Sequence, residues 1–298
     1  MRVLPQRMEK ILITGANGFL GQHLALHLHN RNYRVLTTGR GAARLPSPSI
    51  NYFPAELTNP VEVAALMQQI NPDVVVHTAA LSKPDECENN KTACLAINVD
   101  ATGYLLEQKP ARFIYVSTDF VFGENGPHSE DAMIDPLNFY GESKWLAEQA
   151  VRQSGVEYAI MRPAFIYGQV WPGLRPTFLQ WVKNSLERGK PIKVVSDQLR
   201  TPTFVNDLCW GIEKIISERV TGDFHLAGRD IISPYNMAVT TAEVLGLDGS
   251  LIENVTSETF PEPVRRSKKS GLTFSRATAE LGYNPVSFAE GVRQTFFS

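Results

Sequence analysis

Two side chains suited to proton transfer stand four positions apart in the segment YGESK at 140–144. On a helix, residues at this spacing share one face, so the phenol of Tyr140 and the amine of Lys144 would lie together. A tyrosine hydroxyl ordinarily has a pKa near ~10, too high for acid–base work at neutral pH. A neighbouring cation favours the phenolate and would bring the pKa of Tyr140 closer to that range. The pair therefore predicts a proton donor or acceptor on a helix.

A second set of hydroxyl groups follows an apolar run at 112–116, which predicts a buried strand. At the end of that strand, Ser117 or Thr118 would hold a substrate oxygen opposite the phenol. These groups suit hydride transfer between a nicotinamide and a carbonyl or alcohol carbon, with the tyrosine moving the proton. A Tyr-x-x-x-Lys spacing alone occurs by chance on many amphipathic helices. The prediction therefore depends on the elements around it.

A glycine-rich segment, ITGANGFLG at 13–21, follows the first apolar stretch at 10–14. Gly15 permits a tight turn, Gly18 lets the backbone approach a pyrophosphate, and Gly21 lets a helix pack closely on its strand. The free amides at the start of that helix would then bind the phosphates. The segment predicts a dinucleotide-binding turn between a strand and a helix.

The end of the second predicted strand, at 34–38, bears on the choice of cofactor. An acidic residue at this point holds the ribose 2′-hydroxyl of NAD, whereas an arginine accommodates the 2′-phosphate of NADP. Here Gly39 and Arg40 follow the strand, Arg44 comes shortly after, and no carboxylate is present. The pattern favours NADPH over NAD, the alternative being that Arg40 is only a solvated loop residue.

Strands and helices alternate through the first half of the chain. Such alternation predicts an α/β fold with a doubly wound parallel sheet over residues 1–168. The predicted strands are 10–14, 34–38, 50–54, 72–79, 112–116 and 157–161, and the predicted helices are 19–30, 61–69, 85–108 and 140–153. The pattern weakens over 169–298, which we interpret as a smaller α/β substrate lobe that partly returns to the main sheet. Its predicted elements are helices at 178–188, 235–247 and 274–283 and a strand at 193–195.

The composition excludes several classes of protein. Of the 298 residues, 43% are hydrophobic and 20% charged, and the net charge of −2 provides no basic surface for nucleic acid or an anionic membrane. No apolar run reaches the roughly 18 residues of a membrane span, and no secretory signal precedes the first strand. We therefore expect a cytoplasmic protein, with residues 1–7 as an extension ahead of Met8.

Cysteine and histidine spacings indicate neither a disulfide framework nor a metal site. Three cysteines are an odd number without paired short spacing, so we expect reduced thiols. His23 and His27 are four apart but lack the glutamate of a His-Glu-x-x-His zinc site. No metal is predicted.

Several segments together resemble one family over nearly the whole chain. ITGANGFLG, VSTDFVFG and YGESK are similar to the extended short-chain dehydrogenase/reductase superfamily, the NAD-dependent epimerase/dehydratase family, which acts largely on nucleotide sugars. The dTDP-4-dehydrorhamnose reductase branch is the most similar. Its resemblance extends to 77–103, 135–144 and 197–208, and to an Arg-x-x-x-Ser-x-Leu spacing at Arg266, Ser270 and Leu272.

The resemblance implies a Rossmann fold and an NADPH-dependent reductase of a nucleotide-linked 4-keto-6-deoxy sugar, in dTDP-rhamnose biosynthesis. It also implies a homodimer formed through the helices at about 95–108 and 140–153. The implied catalytic residues are Thr118, Tyr140 and Lys144.

The motifs and the resemblance together assign residues to two binding roles. The cofactor-binding set is Gly15, Asn17, Gly18, Phe19, Leu20, Gly21, Arg40, Glu56, Leu57, Ala79, Ala80, Leu81, Asn98, Tyr140, Lys144 and Pro163. The substrate-binding set is Ser117, Thr118, Asp119, Phe165, Arg200 and Arg266. Arg266 would meet the substrate diphosphate through a bidentate guanidinium.

Departures from the family pattern concern the reaction and the sugar. Nucleotide-sugar 4,6-dehydratases carry Thr-Asp-Glu after this strand, and Phe120 in place of the glutamate argues against dehydration. Phe165 stands where the family often has tryptophan, and the segment between Thr118 and Tyr140 is slightly short. Two alternative functions stay open: a 4-epimerase with retained NAD, and a non-catalytic NADP-binding regulatory subunit like that of methionine adenosyltransferase.

Overall fold

A seven-stranded parallel sheet forms the centre of the computed structural model, which describes residues 9–260 and 263–297. The expectation about residues 1–7 lies outside the described residues. The strands are β1 Lys10–Thr14, β2 Arg34–Gly39, β3 Asn51–Pro54, β4 Val74–His77, β5 Arg112–Val116, β6 Glu157–Arg162, β7 Ile166–Tyr167, β8 Ile192–Val195, β9 Thr203–Phe204, β10 Gly222–His225 and β11 Ile252–Val255.

Helices cover both faces of this sheet and make up much of the second half. They are α1 Phe19–Asn30, α2 Pro60–Ile70, α3 Pro84–Asn89, α4 Lys91–Leu95, α5 Ala101–Glu107, α6 Phe139–Gln153, α7 Phe178–Glu187, α8 Val205–Ser217, α9 Pro234–Leu245, α10 Ser275–Leu281 and α11 Phe288–Phe297. A π-helical turn, Ala96–Asp100, joins α4 to α5.

The strand order of the central sheet is β10-β6-β5-β4-β1-β2-β3, and every neighbouring pair runs parallel. The chain therefore winds outward in one direction from β1 and in the other from β4. Between these strands the connections diverge, which opens a crevice at the carboxyl ends of the strands. The doubly wound α/β fold expected from the sequence is confirmed.

The second half of the chain contributes to the main core more than its sequence pattern indicated. Strand β10 pairs with β6 and becomes the edge of the central sheet. Helix α8, which the sequence analysis did not predict, places Leu208, Ile212 and Ile215 in the same core cluster as Leu24 of α1. The remaining strands form two smaller sheets, β8 with β11 and β7 with β9.

The predicted helix at 85–108 is wrong as a continuous element. The structure divides it at Asn90, whose side-chain oxygen accepts from the amide of Ala93 and caps α4. Beyond Asn90 the chain stays helical from Lys91 to Glu107, with the π-turn in its middle, where the Thr102 hydroxyl donates to the carbonyl of Asn98. The capping side chain of Asn90, which competes with the backbone, accounts for the one interruption.

A buried ion network joins α6 to the edge of the sheet. The Arg162 guanidinium donates to both carboxylate oxygens of Glu148, at 2.9 and 2.7 Å, and both side chains are inaccessible to solvent. Asp223 on β10 accepts from Arg162 at 3.0 Å and also from Arg152. Burial would raise the pKa of Glu148, but the Arg162 guanidinium holds that pKa below its usual range.

Removing Glu148 should destabilise the protein strongly, because it leaves the buried Arg162 charge short of a partner. We expect Glu148→Leu to lower the free energy of unfolding by about 3 kcal/mol in urea titrations at pH 7. Glu218→Ala breaks the exposed pair with Lys214 and should cost about 0.5 kcal/mol. Equal losses in the two variants would show that Asp223 alone satisfies Arg162.

Candidate active site

A cavity of about 570 Å³ lies in the crevice at the carboxyl ends of the central strands. Its volume falls in the range of small-molecule and cofactor sites, ~300–1,000 Å³. Of the predicted site residues, those that line it are Gly15, Asn17, Gly18, Phe19, Leu20, Gly21, Arg40, Glu56, Leu57, Ala79, Ala80, Ser117, Thr118, Asp119, Tyr140, Lys144, Pro163 and Phe165. The structure thus brings residues from seven separate segments into one cavity.

The glycine-rich turn is shaped by close backbone approach. Gly15 has a φ of 66°, and a Cβ there would lie 2.6 Å from the Ala79 amide nitrogen. A Cβ at Gly21 would collide with the backbone of Gly15 and Ala16. Helix α1 begins after Gly18 with no side-chain cap, so its first amides face the cavity without a local acceptor. This cradle fits a dinucleotide pyrophosphate.

Two cations line the cavity close to the end of β2. Arg40 and Arg44 are both part of its lining, as are Glu56 and Leu57, and no carboxylate lies at the end of β2. Arg44 was noted in the sequence only as a second cation near Arg40.

Helix α6 holds Tyr140 at the other end. The helix is capped by Asn138, whose side-chain oxygen accepts from the Gly141 amide at 3.0 Å. A side chain at Gly141 would collide with the carbonyl of Phe120, so glycine lets the helix approach the end of β5 closely. The Phe120 ring packs edge-on against the Tyr140 ring, with centroids 5.4 Å apart. Tyr140 is therefore buried and held from two sides.

Asp119 connects the hydroxyl of Thr118 to the second half of the chain. One of its carboxylate oxygens accepts from the Thr118 hydroxyl at 3.2 Å and the other from Ser270 at 2.9 Å. Burial raises the pKa of Asp119, and the nearby Arg200 charge opposes this rise. The side chain thus orients Thr118 and ties it to the C-terminal segment.

Lys144 lies one turn beyond Tyr140, in a dry environment. Its amine donates to the carbonyl of Val116 at 2.8 Å and sits 4.2 Å from the centre of the Tyr115 ring. Burial lowers the pKa of Lys144 to about 7, although the Glu148 carboxylate opposes the shift. The amine is therefore poised to exchange a proton near neutral pH.

The pKa of Tyr140 differs from the expectation that Lys144 would lower it. Burial raises the pKa of Tyr140 above its ordinary value, and the facing hydroxyl of Thr118 opposes this rise. The Lys144 amine is directed to a backbone carbonyl instead of the phenol. In this arrangement the phenol stays neutral, because desolvation disfavours the phenolate.

Asn98 supports the cavity without lining it. Its side-chain oxygen accepts from the Leu81 amide at 2.8 Å, and its amide group donates to the Leu81 carbonyl and to the Ser143 hydroxyl. Ser143 in turn donates to the carbonyl of Tyr140. Asn98 thus fixes the Leu81 backbone against helix α6.

Arg266 and Arg200 lie outside the main cavity. Arg266 lines a second cavity of about 330 Å³ and donates to both carboxylate oxygens of Asp85, at 3.1 and 3.2 Å. Arg200 is buried and donates to the carbonyls of Leu199 and Ser267. Arg200 therefore holds the C-terminal segment in place and is not exposed to the main cavity.

The second cavity contains aromatic residues that the sequence analysis missed. Phe178, Trp181 and Phe260 line it together with Lys193. It adjoins the main cavity through Phe165, whose ring packs edge-on against Phe178. The only sequence signal for this aromatic lining was the aromatic content of α7, and such a pattern is equally typical of a helix that packs in the core.

Phe165 has a strained backbone, with a φ of 43°. A bulky side chain in the left-handed region is uncommon, and such strain concentrates at functional sites.

Trp171, to which the sequence analysis assigned no role, stacks on His23 with ring centroids 4.0 Å apart. This contact packs the loop after β7 on helix α1.

The sequence predicts no metal site, no disulfide and no membrane span. Within residues 9–260 and 263–297, no group of three or more His, Cys, Asp or Glu side chains is placed to hold a metal ion. Cys87, Cys94 and Cys209 are buried free thiols. No helix in the described part of the chain is long and apolar enough to cross a membrane.

The fold and the cavity define a dinucleotide-binding oxidoreductase of the short-chain type. The family model of the RmlD substrate binding domain matches residues 8–297, and the chain belongs to this family. The expected class, an NAD(P)-dependent oxidoreductase similar to dTDP-4-dehydrorhamnose reductases, is confirmed.

Three relatives illustrate the range of similarity. The probable low-salt glycan biosynthesis reductase Agl14 of Haloferax volcanii is 30% identical over 91% of each chain. Methionine adenosyltransferase 2 subunit beta of Bos taurus is 30% identical over 85% of this chain and 76% of its own. The structure of dTDP-4-dehydrorhamnose reductase from Bacillus anthracis in complex with NADP has a TM-score of 0.85 and 26% identity, covering 97% of this chain and 99% of that one.

Lys144→Met should stabilise the cofactor-free protein near pH 7, with the melting temperature rising by roughly 3 °C. Because the folded pKa is about 7 and the unfolded value 10.5, the unfolded chain binds more protons between these pH values. Wild-type stability therefore rises with pH in this window relative to the variant. Thermal melts from pH 7 to 10 should show the advantage shrinking, while exposed Lys214→Met shows no such trend.

Proposed function

We propose that this protein reduces the C4 ketone of a nucleotide-linked 4-keto-6-deoxy sugar, with NADPH as the hydride donor. The observation that carries the proposal is the convergence of Thr118, Tyr140 and Lys144 at one end of the cavity whose other end holds the glycine-rich turn. The dTDP-4-dehydrorhamnose reductase structure with NADP and the glycan biosynthesis reductase support this substrate class.

NADPH, when bound, supplies a hydride to the C4 carbon. Thr118 holds the C4 oxygen, oriented by Asp119. Tyr140, kept neutral by burial, donates its proton to that oxygen as the carbon is reduced. Lys144, whose pKa is about 7, would bind the nicotinamide ribose. The Tyr140 phenolate regains its proton from solvent through the cavity that it lines. Ketone, hydride and proton thus give one hydroxyl group.

The second cavity suits the nucleotide and diphosphate of the substrate. Aromatic side chains there offer faces for a base, and Lys193 and Arg266 offer cations for phosphates. Its contact with the main cavity at Phe165 and Phe178 supports a sugar position between the two cavities. We further propose a cytoplasmic homodimer formed through the helices at 95–108 and 140–153.

The test is loss of NADPH absorbance at 340 nm with dTDP-4-keto-6-deoxy-L-mannose, run in parallel with NADH. Tyr140→Phe should lower kcat at least ~100-fold, because the proton donor is lost, while the Kd for NADPH changes less than about twofold. Retained turnover in this variant would remove Tyr140 from the mechanism. Net NADPH consumption would exclude a 4-epimerase that works with retained NAD.

Arg266→Ala should raise the KM for the nucleotide sugar by about 10-fold and leave the KM for NADPH unchanged, since a charge-assisted contact is lost only in the second cavity. Arg265→Ala is the matched control, because Arg265 is exposed and lies 3.9 Å from Glu124. An increase in the KM for NADPH would assign the second cavity to the cofactor instead.

A regulatory subunit is the second candidate, favoured by the similarity to methionine adenosyltransferase 2 subunit beta. The complete set of catalytic side chains supports the reductase more strongly. A partner enzyme recovered in stoichiometric amount, together with absence of reductase activity, would reverse this preference.

A further inference from the structure

The loop at 40–44 carries both arginines assigned to the cofactor and contains neither helix nor strand. Arg40 and Arg44 are exposed, and Gly41 between them has a φ of 68°. A flexible loop would bind a phosphate weakly, because ordering it on binding costs conformational entropy. The contacts that hold this loop in place therefore influence how strongly Arg40 and Arg44 bind a phosphate.

Asn17 holds the loop from the glycine-rich turn. Its side-chain amide donates to the carbonyls of Arg40 and Ala42, each at 3.0 Å. Its side-chain oxygen accepts from the amide of Arg44 at 2.8 Å. The side chain is 8% exposed, so these bonds are shielded from water. One residue of the pyrophosphate turn thus bonds to the backbone at both arginines.

Tyr52 on β3 completes the arrangement. Its hydroxyl accepts from the Asn17 amide at 2.9 Å and donates toward the carbonyl of Gly41 at 3.1 Å. The contacts of Asn17 span 23 to 35 positions in sequence, so this one side chain joins the turn to the loop and to the third strand.

We propose that Asn17 is a specificity-determining positioning residue, which with Tyr52 presents Arg40 and Arg44 to the 2′-phosphate of the cofactor. The proposal rests on the NADPH dependence proposed above and extends it. Asn17 itself makes no contact with the 2′-phosphate in this scheme, because its polar atoms are occupied by the loop. It acts through the backbone that carries the two cations.

A comparison of NADPH with NADH separates binding of the 2′-phosphate from binding of the rest of the cofactor. A loss of loop order weakens binding only where the arginines act, so NADPH should suffer and NADH, which lacks the phosphate, should not. Damage to the pyrophosphate turn would instead weaken both cofactors equally. The ratio of the Kd for NADH to the Kd for NADPH therefore distinguishes positioning from a general structural role.

The experiment measures this ratio by fluorescence titration of the full chain, without sugar substrate. Asn17→Ala should lower the ratio about 10-fold, the loss of one to two net hydrogen bonds, with the Kd for NADH changed less than about threefold. Tyr52→Phe, which lies outside the turn, should lower it about threefold. Tyr158→Phe on β6 is the matched control and should leave it unchanged.

Combination with loss of both arginines tests whether Asn17 acts through them. Adding Asn17→Ala to the Arg40→Ala/Arg44→Ala variant should leave its ratio nearly unchanged, because removing both cations removes what Asn17 positions. Additive losses would overturn the proposal, as would equal weakening of both cofactors by Asn17→Ala. A wild-type protein that binds NADH at least as tightly as NADPH would instead refute the proposed cofactor, and this inference with it.

Discussion

The reversal of strand order between β1 and β4 is the constraint on which the rest of the site depends. Because the connections leave these two strands in opposite directions, nothing crosses above their carboxyl ends, and a crevice remains. The turn after β1 and the loop after β4 meet in this crevice so closely that Gly15 has no space for a side chain beside Ala79. The position of the cofactor cradle follows from that contact.

Buried charged side chains behind helix α6 connect this helix to the edge of the sheet. Lys144 points into the sheet at the end of β5, and Glu148 lies one turn further along the same helix. Glu148 is paired with Arg162 and, through it, with Asp223 on the edge strand. The Glu148 carboxylate counters the effect of burial on the pKa of the Lys144 amine, so the ion network that reaches the edge strand begins beside Lys144.

The second half also secures the substrate side of the site. Ser270 bonds to the carboxylate that orients Thr118, and the Asn138 amide that begins the catalytic helix donates to the Arg265 carbonyl. Both contacts join the catalytic segments to the stretch that carries Arg266. Geometry at the reacting hydroxyls and the shape of the second cavity are therefore coupled, which suits an enzyme whose substrate extends from one to the other.

The sequence by itself determined the elements whose signals are local. Strand β1 and helix α1 have the predicted bounds, because an apolar run and a glycine turn define both within a dozen residues. Tertiary structure decided what depends on distant partners. The short strand Gly222–His225 becomes a strand by pairing with β6, and Arg266 belongs to a second cavity because the C-terminal segment folds against Asp85. The pKa of Tyr140 was likewise decided by burial, a property of packing that spacing on a helix does not reveal.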